Sequence, residues 1–170
     1  RSALAAVRSL GARGYRVICG SPRITGLARY SRWTSSAFTY PSPLVTLAGF
    51  SRSVREQARR CDQPPLLLSF SDATMLTLSR ERGMFDGIAR ILLPASADME
   101  TAADKRQTVA LAQELGIAVP RTYDDIPPDL TFPAVIKPRH NVVWRGDRAV
   151  KSAVTVVNSS DQLHILWRRI

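Results

Sequence analysis

DKRQTVALAQELGIAVPRTYDDIPPDLTFPAVIKP, residues Asp104–Pro138, is the stretch whose reading decides the fold. Asp104 is a favoured N-cap type, and Val109, Ala112 and Leu115 recur behind it at helical spacing, which predicts a helix over Lys105–Leu115. Gly116 supplies a left-handed stop, and Ile117–Val119 followed by Pro120 leads the chain away. Asp124–Asp129, DDIPPD, is a rigid turn. Phe132–Lys137, FPAVIK, then forms a short apolar strand that Pro138 closes. Lysines stand at both ends of the stretch, Lys105 at the helix start and Lys137 at the strand end. Two cations on neighbouring elements can face one polyanion.

Downstream, Arg139–Asp147 is polar and irregular apart from Val142–Trp144. Ala149–Val157 predicts a second strand, and Ser159–Asp161 caps a last helix over 162–170. Helix, strand, loop, strand and helix make a small α+β domain over 98–170, with its boundary near Ser96–Ala103. Upstream, helices are expected over 2–13, 44–61 and 73–82, with strands at Tyr15–Cys19, Phe38–Tyr40, Leu66–Phe70 and Ile88–Leu93. That alternation is α/β, an open doubly wound, Rossmann-like sheet over 1–97. Its first strand is missing from the pattern, so the chain is expected to begin inside a βαβ unit. Ligands of such sheets bind beyond the carboxyl ends of strands, which singles out Gly20–Arg32 and Ser69–Thr74 for substrate contacts. For Asp72 an N-cap role is preferred to a substrate contact.

Composition sets the outer bounds. A hydrophobic content of 45% with no apolar run near the roughly 18 residues of a membrane span predicts a soluble domain. The N-terminus is broken by Arg8 and Arg13 and reads as an amphipathic helix rather than a signal peptide. With only Cys19 and Cys61 a disulfide scaffold is not expected, so a cytoplasmic location is. These cysteines, His140 and His164 lack metal-ligand spacing, and no metal site is expected. The net charge is +10, yet only Lys105, Lys137 and Lys151 are lysines among 24 basic residues. Arginine is thus the default surface cation, and the rare lysines carry more information.

Asp104-Lys105, the run Glu114–Thr122 (ELGIAVPRT) and Phe132–Pro138 (FPAVIKP) stand in the order and at the spacing of an ATP-grasp module. The chain therefore resembles the ATP-grasp superfamily, close to the carbamoyl-phosphate synthase large-chain group. Its α/β region, 1–97, resembles the pre-ATP-grasp domain, and 98–170 the first part of the module. The resemblance implies an ATP-dependent carboxylate–amine ligase acting through an acyl phosphate, with magnesium as the second cofactor and a small carboxylate as substrate. It assigns Lys105 and Lys137 to the ATP phosphates. Many relatives carry glycines after the strand lysine; here only Gly146 occurs in that loop, and Arg139, His140 and Arg145 would offer side-chain donors instead. Trp144 reads as a lid or an exposed aromatic. The adenine hinge and the magnesium carboxylates of the family have no counterpart up to Ile170, so the chain alone is expected to be catalytically incomplete.

Without the resemblance, Lys105 is a solvated first-turn residue, slightly unfavourable at the positive helix end, and Lys137 an ordinary strand-end cation. Two other functions compete. A non-catalytic Rossmann-like module would bind a dinucleotide or a protein partner. A basic nucleic-acid-binding domain would need clustered cations with stacking aromatics, whereas the arginines look scattered along the sequence, which argues against that partner. An apolar face left open could make a homodimer.

Overall fold

The expected alternation of helices and strands is present in the computed structural model, which describes residues 1–167. Contacts divide the chain into two units, Arg1–Met99 with Val142–Val150, and Glu100–Asn141 with Lys151 onward. Residues 142–150, which sequence order puts in the second domain, thus group with the first unit.

The first unit opens with α1 (Ser2–Gly11). Gly14 at φ +83° ends the turn after it: Tyr15 N–H reaches Leu10 O at 3.2 Å and Gly14 N–H reaches Gly11 O at 3.0 Å. This stop keeps Tyr15 out of the following strand, so β1 is Ile18–Ser21, three residues later than expected. It pairs in parallel with β2 (Ser36–Thr39). Helix α2 (Leu47–Arg59) begins after Thr46, whose hydroxyl accepts from Gly49 N–H at 3.1 Å. Then β3 (Leu66–Leu67), α3 (Asp72–Arg80) and β4 (Arg90–Ile91) complete a second parallel pair. Leu68 and Phe70, expected in β3, lie outside the ladder and are partly exposed, and the Ser69 hydroxyl meets Thr74 on α3. Ser71 caps α3 by accepting from Thr74 N–H at 3.3 Å; Asp72 is the first helical residue, not the cap.

Phe50, Val54, Leu78 and Phe85 form the main apolar cluster of this unit, with Tyr40 edge-on to Phe50 at 5.0 Å. A smaller cluster joins Val7, Cys19 and Ala28. A third joins Ala73 to Val142 and Ala149 of the hairpin β6 (Val142–Arg145) and β7 (Arg148–Lys151). Trp144, expected as a lid or an exposed aromatic, is partly buried: it packs against that third cluster with the Arg80 guanidinium over its ring. Among the described residues the ladders stop at two strands each, and no single open sheet is drawn by them.

Helix α4 (Ser96–Ala103), where only a boundary was expected, leads into the second unit. There α5 (Lys105–Glu114) ends at Gly116, φ +68°, as its sequence predicts. Strands β5 (Ala134–Ile136) and β8 (Thr155–Val157) pair antiparallel. The expected strand Ala149–Val157 is split because Ser152 N–H turns to Asn141 O, at 2.9 Å, between β7 and β8. Helix α6 (Ser160–Trp167) follows, its expected last three residues lying outside the described ones. No helix among the described residues is long and apolar enough to cross a membrane.

Candidate anion site at Lys105, Lys137 and Arg139

Everything at this end of the second unit is arranged around Asp104, which is 1% exposed. Its Oδ1 accepts from the Arg106 and Gln107 backbone amides at 3.0 and 3.5 Å, the N-cap geometry that its residue type predicts. Its Oδ2 accepts from Gln107 Nε2 at 3.0 Å and from Arg139 Nε and Nη2 at 2.8 and 2.5 Å. His140 Nε2 stands 3.8 Å from the same oxygen. A buried carboxylate needs such donors, because leaving water without them is costly. The Arg139 hydrogen bond, helped by Gln107 and the two amides, outweighs desolvation and holds the Asp104 carboxyl well below the usual carboxylate range. In return Asp104 raises the Arg139 pKa above its ordinary value.

Lys105 is fixed by the same segment. Its Nζ donates to Pro138 O at 2.8 Å and to Asn141 Oδ1 at 2.7 Å, and its backbone N–H donates to Arg139 O at 3.0 Å. The helix-start pair Asp104–Lys105 is therefore tied to the segment that follows β5, the two ends that sequence reasoning singled out. Lys137, the residue after β5, is exposed and has no hydrogen-bond or ion-pair partner among the described residues.

Donor counting shows what remains. An ammonium has three N–H donors, two of which Lys105 already uses. A guanidinium has five, and Arg139 turns its Nε edge to Asp104 while its side chain stays half exposed. Lys137 keeps all three. The segment thus carries one open point charge, at Lys137, and two cations held in place by protein oxygens, at Lys105 and Arg139. Arg145 lies at the end of β6, in the first unit.

Sequence reasoning found Asp104 as a cap and missed it as the partner of Arg139, and it missed Asn141 altogether. Neither has a local signal, since Arg139 is 35 and Asn141 36 residues from the group it meets. For a metal ion, no group of three or more His, Cys, Asp or Glu side chains comes together among the described residues. A scan against protein-family models finds no match to this chain, and a search of curated proteins finds none either.

Proposed function

We propose that Asp104–Asn141 holds the phosphates of ATP in an ATP-dependent carboxylate–amine ligase of the ATP-grasp kind. The supporting observation is the hydrogen bond from Lys105 Nζ to Pro138 O, which joins the two lysine-bearing ends of the motif. In this reading Lys137 is the principal phosphate ligand, a compact charge with its donors unspent. Lys105 contributes its third N–H, and Arg139 its outward N–H groups, both prepositioned by partners that do not have to reorganise. Asp104 is a positioning residue that orients Arg139 and begins α5. Bound ATP would supply the phosphoryl group for activating a carboxylate.

Calorimetric titration with ATP tests the proposal, with NAD as the control for a dinucleotide-binding module. Lys137→Ala is expected to weaken ATP binding about tenfold or more, the scale of one charge-assisted hydrogen bond. Unchanged affinity in that variant removes the reading.

A further inference from the structure

The net positive charge of this protein is not spread along the chain. Residues 1–60 contain 11 arginines and a single acid, Glu56, while the remaining residues carry 13 cations and 13 acids. The whole net charge of +10 therefore belongs to the first 60 residues, all of them in the first unit.

Two cavities of that unit adjoin one another there, of about 320 and 620 Å³, with Arg32 and Trp33 lining both. The smaller also has Tyr15 and Arg16, and the larger Tyr30 and Arg8. Each therefore combines arginines with one tyrosine, and both tyrosines are well exposed, at 64% and 72%. The shared wall is built rather than loose. Arg32 Cζ lies 4.9 Å from the centroid of the Trp33 ring, a cation–π stack. Trp33 sits so close to α1 that a Cβ on Gly11 would come within 2.5 Å of its own Cβ. Tyr30 is held by its hydroxyl, which donates to Ile24 O at 3.1 Å. Arg16 shares its charge with Asp62 at 3.5 Å, whereas Arg8 and Arg32 have no ion pair among the described residues.

We infer that this face of the first unit binds single-stranded nucleic acid, its bases stacking on Tyr15 and Tyr30 and its phosphates meeting Arg8, Arg32 and Arg16. Flat aromatic faces alternating with cations, of which Arg8 and Arg32 have no ion pair among the described residues, suit a strand whose bases are free to splay, because every base has a π-face and every linkage one negative charge. A duplex hides its bases, and an anionic lipid surface has none, so neither offers the tyrosines a base to stack on. The reading is independent of the ATP proposal, since it uses none of Lys105, Lys137 or Arg139.

Fluorescence anisotropy with labelled oligothymidylate and oligouridylate of about 12 nucleotides, within the site sizes of single-strand binders, tests it on the whole chain. Binding is expected to persist near 0.15 M salt, with a log–log salt slope of about −2 for three phosphate contacts. Arg32→Ala should reduce that slope by about 0.7. Tyr30→Ala should weaken binding about fivefold or more, while Tyr30→Phe, which keeps the ring, stays within about twofold. Equal affinity for a duplex of the same length or for phosphatidylserine vesicles would overturn the inference. So would a Tyr30→Ala variant that binds like the parent, or binding that depends on Lys137 instead of Arg32.

Discussion

The two units of this chain solve the problem of cohesion in different ways. The first buries Phe50, Val54, Leu78 and Phe85 together, and around them come half-buried Phe38, Tyr40, Leu67 and Ile91. The second centres on Asp104, a carboxylate surrounded by an arginine, a glutamine and two backbone amides. Its helix α5 buries no side chain, and Leu111 and Leu115 are largely exposed. Apolar burial is non-directional and tolerates adjustment, whereas a buried charge holds only while each of its partners stays in place. The contrast teaches that the first unit is a packed body, while the second joins a polar frame around Asp104 to a small apolar centre at Val157 and Leu163.

Four substitutions break or sharpen that contrast. Phe85→Ala should cost the first unit about 3–5 kcal/mol in chemical denaturation, the range for emptying a large buried aromatic site. A loss below about 1 kcal/mol would mean that this cluster is not the centre of the unit. In the second unit, Asp104→Asn removes the charge that holds Arg139. Hydrogen exchange at the Arg106 and Gln107 amides is expected to accelerate about tenfold or more, the scale of losing a hydrogen bond to a charged group. Equal acceleration over α2 and α3 would erase the distinction between the units. The same carboxylate sets a pH dependence. Because its folded pKa is depressed, its stabilising contribution is complete above about pH 4 and is lost as pH falls through the lower folded value. Protection of the first turn of α5 should thus be flat from neutrality to about pH 4 and decline only under stronger acid.

Smaller effects follow at the helix ends. Gly116→Ala forces a side chain onto φ +68° and should cost the second unit about 1–2 kcal/mol, read from its denaturation midpoint. Thr46→Ala should cost the first unit only about 1 kcal/mol, as usual for an N-cap. That helix has a second cap, because Asp147 from the β6–β7 turn accepts from Ala48 N–H at 3.1 Å and from the Thr46 hydroxyl at 2.5 Å. These bonds, the Thr46 one foremost, also hold the Asp147 carboxyl below its ordinary pKa. If Thr46→Ala were as damaging as Phe85→Ala, capping rather than packing would be the main source of cohesion there.

Much of the local structure was legible in the residues. Asp104 as the cap of α5, Gly116 as its stop and Gly14 after α1 are short-range effects, decided by a side-chain oxygen or a positive φ within one turn. Strand lengths were not legible: Leu66–Phe70 reads as one strand, yet only Leu66 and Leu67 find a ladder partner. An apolar run shows that a segment can be buried, and only a neighbour shows where pairing stops. Neighbourhoods among the arginines were not legible for the same reason, since spacing along the chain does not reveal that Arg8 and Arg32 line one cavity.

By itself, the sequence determined the cap and stop of α5, the alternation of helix and strand, and the placing of Lys105 and Lys137 at the two ends of one motif. Each of these depends on groups a few residues apart. Tertiary structure alone decided that Arg139 closes on Asp104, that Asn141 and Pro138 hold the Lys105 ammonium, and that Asp147 caps a helix about a hundred residues before it. Helix α2 has no acidic residue in its first turn, so nothing local announces its partner. A carboxylate can satisfy an amide or a guanidinium from anywhere in the chain, and only the folded backbone selects which one it reaches.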